Sequence, residues 1–77
     1  MNPNNSAVQK DDLIKLLIQC RTERNLSLAK VAKAVKISIV AVSNIERGIA
    51  KPRRTTRLRI VMFLQRHGYF PKEQEAA

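Results

Sequence analysis

The stretch "SLAKVAKAVKISIVAVSNIERG", Ser27 to Gly48, constrains the fold more than any other part of the chain. It holds two short amphipathic segments, and each follows a serine whose hydroxyl can accept from the free amides of a helix start. The first, Leu28 to Val35, places Leu28, Val31, Ala32 and Val35 on one face. Lys36-Ile37 makes a tight turn, and Ser38 opens the second segment, Ile39 to Arg47. There Val42 and Ile45, three apart, form the inward pair, and Gly48 ends the helix. Ile39 and Val40 are then left over, facing outward on a helix too short to bury them.

The flanks extend the helical pattern. "DDLIKLLIQCRTER", from Asp11 or Asp12, puts Leu13, Leu17 and Cys20 on one stripe with Leu16 beside it, and Asn25 suits a left-handed cap. Further back, Ser6 and Gln9 have the spacing of a capping box. "IAKPRRTT" is a basic loop in which Pro52 forces Lys51 out of helical geometry. A further helix is expected from Thr55 or Thr56, with Leu58, Val61, Met62, Phe63 and Gln65 on its inner side. Gly68 closes it, Tyr69 or Phe70 folds back on its last turn, and Pro71 prevents continuation. The expectation is an all-α bundle of four short helices, or five. Residues 1–10 are expected as a flexible segment, 11–71 as the folded domain and 72–77 as an acidic tail.

Charge narrows the function. Fifteen Lys and Arg face six acids, for a net charge of +9. From Arg24 to Lys72 there are twelve basic residues and one acid, Glu46. Such a field attracts polyanions, and the commonest inside a cell is nucleic acid. A 44% hydrophobic content with two Gly and three Pro fits a folded chain rather than a disordered one. Cys20 has no partner for an internal disulfide and reads as a core residue of a reducing compartment. No apolar run approaches a membrane span, and the N-terminus lacks the order of a signal peptide, so a cytoplasmic, nucleoid-associated protein with no membrane contact is expected.

Two short helices joined by a tight turn in a basic all-helical domain describe a helix-turn-helix. The residues also resemble a family. "SLAKVAKAVKISIVAVSNIERGIAKP", Ser27 to Pro52, is similar to the helix-turn-helix of the lambda-repressor-like family, the Cro/repressor or Xre type. Ala32 falls where that family keeps a small residue for close packing, and Ile37-Ser38 falls at its turn. Val42, Ser43, Ile45, Glu46 and Gly48 follow its "V/I-S-x-x-E-x-G" ending. Leu28 stands where the family commonly has Gln, and Lys36 where it commonly has Gly.

The resemblance implies sequence-specific binding of double-stranded DNA by a homodimeric, repressor-like regulator of phage or mobile-element type. Ile39, Val40 and Asn44 would then point into the major groove. Isoleucine and valine read thymine methyls by contact and Asn44 pairs with adenine, so an A/T-containing operator is expected. Arg47 is placed for a phosphate or a base. Ser27, Ser38 and Ser43 would touch phosphates, and Lys51, Arg53 and Arg54 would grip the backbone from the loop. The family also implies a structural salt bridge between Arg21 and Glu46. Independently, an acid near a helix C-terminus is disfavoured by the dipole and needs a cation.

Other chemistries have little support. With one His, one Cys and no paired carboxylates in the folded part, acid–base catalysis and metal binding lack partners. Not an enzyme, no cofactor and no small-molecule substrate are the expectations. His67 reads as a favourable residue for a helix C-terminus. RNA binding lacks exposed aromatics, since only Phe63, Tyr69 and Phe70 exist. The alternative from another class is a protein-interaction module in which Ile39 and Val40 hold a toxin or polymerase subunit.

Overall fold

The computed structural model describes residues 12–71. The expected flexible segment 1–10, its Ser6–Gln9 capping box and the acidic tail 72–77 lie outside these residues. Four helices follow one another: α1 Asp12–Glu23, α2 Leu28–Val35, α3 Ile39–Glu46 and α4 Arg54–Arg66. Among the described residues there is no strand.

Local chemistry explains where the helices start and stop. Ser27 accepts from the Lys30 amide at 3.0 Å and Ser38 from the Ala41 amide at 3.0 Å, each supplying an acceptor to a free donor of the first turn. All four helices end in the same reversal, α2 through the Ile37 N–H donating to the Ala32 carbonyl at 3.1 Å over left-handed Lys36. Leu26 N–H donates to the Arg21 carbonyl, Ile49 N–H to Asn44 and Tyr69 N–H to Leu64, at 2.8–2.9 Å. Each bond skips back over a left-handed residue, Asn25, Gly48 or Gly68. Lys36 closes α2 at φ 63°, a conformation that costs a residue with a Cβ.

α1 packs against both α3 and α4, and α2 packs against the same two helices. The core that results contains Leu13, Leu17, Val31, Val35, Val42, Ile60 and Leu64, all almost fully excluded from solvent. Because α1 is covered on two sides, its buried stripe is wider than expected: Ile14 joins Leu13, Leu17 and Cys20, while Leu16 is half-buried. Leu28 is likewise only half-buried, and α3 ends one residue early, with Arg47 as its cap.

α4 departs most from expectation. It starts at Arg54 rather than Thr55 or Thr56, with Arg53 as an N-cap that makes no side-chain cap bond. Its inner face is Thr56, Ile60, Val61, Phe63 and Leu64, whereas Leu58 and Met62 are 60% and 52% exposed. Gln65 is half-buried. The spacing 56, 60, 63, 64 is a regular helical stripe, but it begins with a threonine, and Leu58 and Met62 offer a rival stripe of similar apolarity. Packing against α1 and α2 selects the first.

Candidate nucleic-acid interface

α3 is short, and only Val42, Ile45 and Glu46 of its side chains are buried. These three anchor the helix on the core, so its remaining face is available outward. Ile39 is 50% exposed and Val40 is 67% exposed at its N-terminal end. Burying such side chains is worth roughly 1.5–3 kcal/mol each, so an apolar pair held in water marks a surface with a use.

The polar residues around this face occupy distinct positions. Ser27 and Ser38 are exposed at the starts of α2 and α3, where their oxygens serve as N-caps and their hydroxyl protons remain able to donate outward. Ser43 and Asn44 are half-buried on α3, and Arg47 is exposed at its end. Lys51, Arg53 and Arg54 are exposed on the loop and the first turn of α4. The Asn44 carbonyl accepts from both Ile49 and Ala50 amides, which fixes the path of this basic loop directly after α3.

Between α3, the loop and α4 lies a cavity of about 500 Å³. Asn44 forms part of its wall, together with Lys51 and Arg53. Thr55, Thr56 and Arg59 complete its polar side, and none of the three was assigned a role from the sequence. Arg59 belongs with Arg53, Arg54 and Arg57 to four arginines crowded at the start of α4, a pattern that suits an anion, but the place of Thr56 depends on the rotation of α4.

The frame behind the face is braced by charge. Arg21 on α1 meets Glu46 at the end of α3, Nε to Oε2 at 2.9 Å, and also donates from Nη1 to the Leu26 carbonyl at 3.3 Å. At the same end of α1, Arg24 Nη2 donates to the His67 carbonyl at 2.7 Å, and the Tyr69 hydroxyl donates to Glu23. Both contacts hold the end of α4 to the end of α1. The bond from Tyr69, and then one from Gln19, lower the Glu23 carboxyl below its ordinary value. The bond to Glu23 raises the Tyr69 phenol. Burial raises the Cys20 thiol, which suits a packing role. Among the described residues no His, Cys, Asp and Glu cluster could hold a metal ion, and no helix is long and apolar enough to cross a membrane.

A family model described as helix-turn-helix matches residues 17–67, from the middle of α1 to the cap of α4. The chain belongs to the Cro/C1-type helix-turn-helix family. Members of this family are DNA-binding regulators of transcription, and the matched residues include all of α2, α3 and α4. Neither a curated protein nor a solved structure matches the chain significantly. For this helix-turn-helix protein the exposed face of α3 and the basic loop behind it are therefore the surfaces to weigh against DNA.

Proposed function

We propose that the protein is a sequence-specific, repressor-like regulator that binds double-stranded DNA as a homodimer, with α3 in the major groove. The observation that carries this reading is the outward pair Ile39 and Val40, beside Asn44 and Arg47, on a helix seated by Val42 and Ile45. Ile39 and Val40 take thymine methyls, Asn44 pairs with adenine, and Arg47 reaches a base or a phosphate, so the operator is rich in A and T. Ser27, Ser38, Ser43, Lys51, Arg53 and Arg54 hold the backbone and set the register of α3. Repression is steric, by a dimer covering the site that polymerase needs.

Leu58 and Met62 support the second copy. They lie one turn apart on the outer side of α4 and are exposed, so a two-fold partner gains apolar burial there. Selection of bound sites from random DNA tests the whole reading: a symmetric, A/T-rich consensus is expected, and recovery of no consensus overturns it. Sedimentation of Leu58→Glu/Met62→Glu tests the dimer, which should dissociate while the helical content stays. If Ile39 and Val40 instead anchor a protein partner such as a toxin or polymerase subunit, binding will show little salt dependence, in contrast to the steep loss expected for DNA.

A further inference from the structure

The cavity between α3 and the first turn of α4 has features that a DNA-facing surface does not require. Thr56 forms part of its wall, is only 8% exposed, and its hydroxyl has no hydrogen-bond partner among the described residues. A buried hydroxyl left unpaired is unfavourable, and native proteins rarely keep one without a partner for it. Around it stand Lys51, Arg53 and Arg59, none of which forms a salt bridge among the described residues. No carboxylate lines the cavity, and the nearest acid in sequence, Glu46, is taken up by Arg21. The amides of Arg54, Thr55 and Thr56, which a helix start leaves without intrahelical acceptors, find none elsewhere among the described residues, and Arg53 supplies no side-chain cap to any of them. Three cations and a hydroxyl without a protein partner thus line one cavity at the positive end of a 13-residue helix.

We propose that this cavity is a binding site for a small phosphomonoester that acts as a competitor of DNA. The terminal phosphate accepts from Thr56 Oγ1 and the α4 amides, with Arg53 and Arg59 against its charge. The organic group rests on the apolar wall of Ile37, Ala41 and Ile45, beside the Asn44 amide. A terminal phosphate suits the site better than a backbone phosphodiester for two reasons. Its dianion matches a surplus of three cations, and it can enter to a recessed hydroxyl that a phosphate flanked by two sugars cannot approach. The cavity volume is within the range of small-molecule sites. The chain has no glycine-rich phosphate loop, and the first turn of α4 supplies the amides in its place. Competition with DNA rests on the proposed role of α3 and the basic loop, since Asn44, Lys51 and Arg53 belong to both surfaces; the phosphate site itself does not.

The test is a titration of the ¹⁵N-labelled full chain at constant ionic strength, followed by amide shifts, with inorganic phosphate, a nucleoside monophosphate and the same nucleoside without phosphate as probes. Saturable shifts at Arg54, Thr55 and Thr56 are expected with phosphate and, more tightly, with the nucleoside monophosphate, and none with the nucleoside alone. Thr56→Val should weaken this binding about tenfold, the loss of one hydrogen bond to a charged group, while leaving the melting temperature unchanged or higher. A purely structural Thr56 would give the reverse, a lower melting temperature with binding intact, and would overturn the proposal. So would unsaturable shifts, or equal shifts with the nucleoside that lacks a phosphate. Because the titration contains no DNA, its failure leaves the operator-binding reading untouched; displacement of labelled duplex by the nucleoside monophosphate then tests competition separately.

Discussion

Arg21 and Glu46 meet through two parallel hydrogen bonds, Nε to Oε2 at 2.9 Å and Nη2 to Oε1 at 3.0 Å, and so join the last turn of α1 to the last residue of α3. The pair is unequally solvated, with the Glu46 side chain 9% exposed and that of Arg21 27% exposed. Removing either partner leaves the other without its counter-charge, and the partly solvated guanidinium keeps the penalty below that of a wholly buried pair. Glu46→Ala and Arg21→Ala should each destabilise the fold by about 1–3 kcal/mol, and the double variant should cost less than their sum. In a chain of this size that is a fall of roughly 4–24 °C in Tm, and melts within a degree of the parent would show the pair to be energetically idle.

Lys36 adopts a left-handed conformation at the end of α2, with its Cβ crowded against the backbone. Glycine relieves that strain and gives back part of the gain through its more flexible unfolded chain. Lys36→Gly should therefore stabilise by about 0.5–1 kcal/mol in denaturant unfolding, and Lys36→Val should destabilise. A neutral result for both would mean that the turn relaxes to another geometry.

Ile39 and Val40 can be tested with DNA that lacks only the methyl group they are proposed to read. Replacing operator thymines with uracil should cost about 1 kcal/mol per lost contact. Ile39→Ala should cost as much on thymine DNA and nothing further on uracil DNA, because both changes delete one contact. Additive losses in this cycle would place the side chain away from the methyl, and Asn44→Ala should instead relax the preference for adenine by about 1–3 kcal/mol.

Lys51, Arg53 and Arg54 are exposed cations on a loop whose path is set by the Asn44 carbonyl. Their contacts with phosphates carry no sequence information. Each change to Ala should weaken binding to all duplexes alike and lower the slope of log K against log salt by about one unit. Titrations at several salt concentrations measure this, and an altered consensus with an unchanged slope would reassign the residue to base contact.

The Tyr69–Glu23 bond links stability to pH at both ends of the scale. Its carboxyl partner is depressed, so that contribution is present above the ordinary carboxylate value of about 4.3 and is lost as pH falls through the lower folded value. Its phenol partner is raised, so the contribution is present below about pH 10 and is lost as pH rises through the higher folded value. The Tm difference between the parent and Tyr69→Phe should be widest at intermediate pH and close at both extremes. A difference constant with pH would assign the effect to packing of the ring.

The starts of α2 and α3 and the chain reversals were legible in the chain because they depend on near neighbours, whereas the start of α4, which has no side-chain cap, was not. Ser27 and Ser38 cap within three residues, and Asn25, Gly48 and Gly68 reverse the chain within the turn they end. The outward position of Ile39 and Val40 followed in the same way, since Val42 and Ile45 occupy the only face that an eight-residue helix can bury. Composition added the preference for an anionic partner, because charge acts over distance whatever the packing. The rotation of α4 was not legible: Leu58 with Met62 and Ile60 with Leu64 are both apolar pairs one turn apart, and nothing within the helix ranks them. Only contact with α1 and α2 chose Ile60 and Leu64, and the same rotation buried Thr56, which lines the cavity with residues of α3. The cavity with its unpaired hydroxyl is thus a product of tertiary packing, since its walls come from residues 37 to 59 that no single helical period relates.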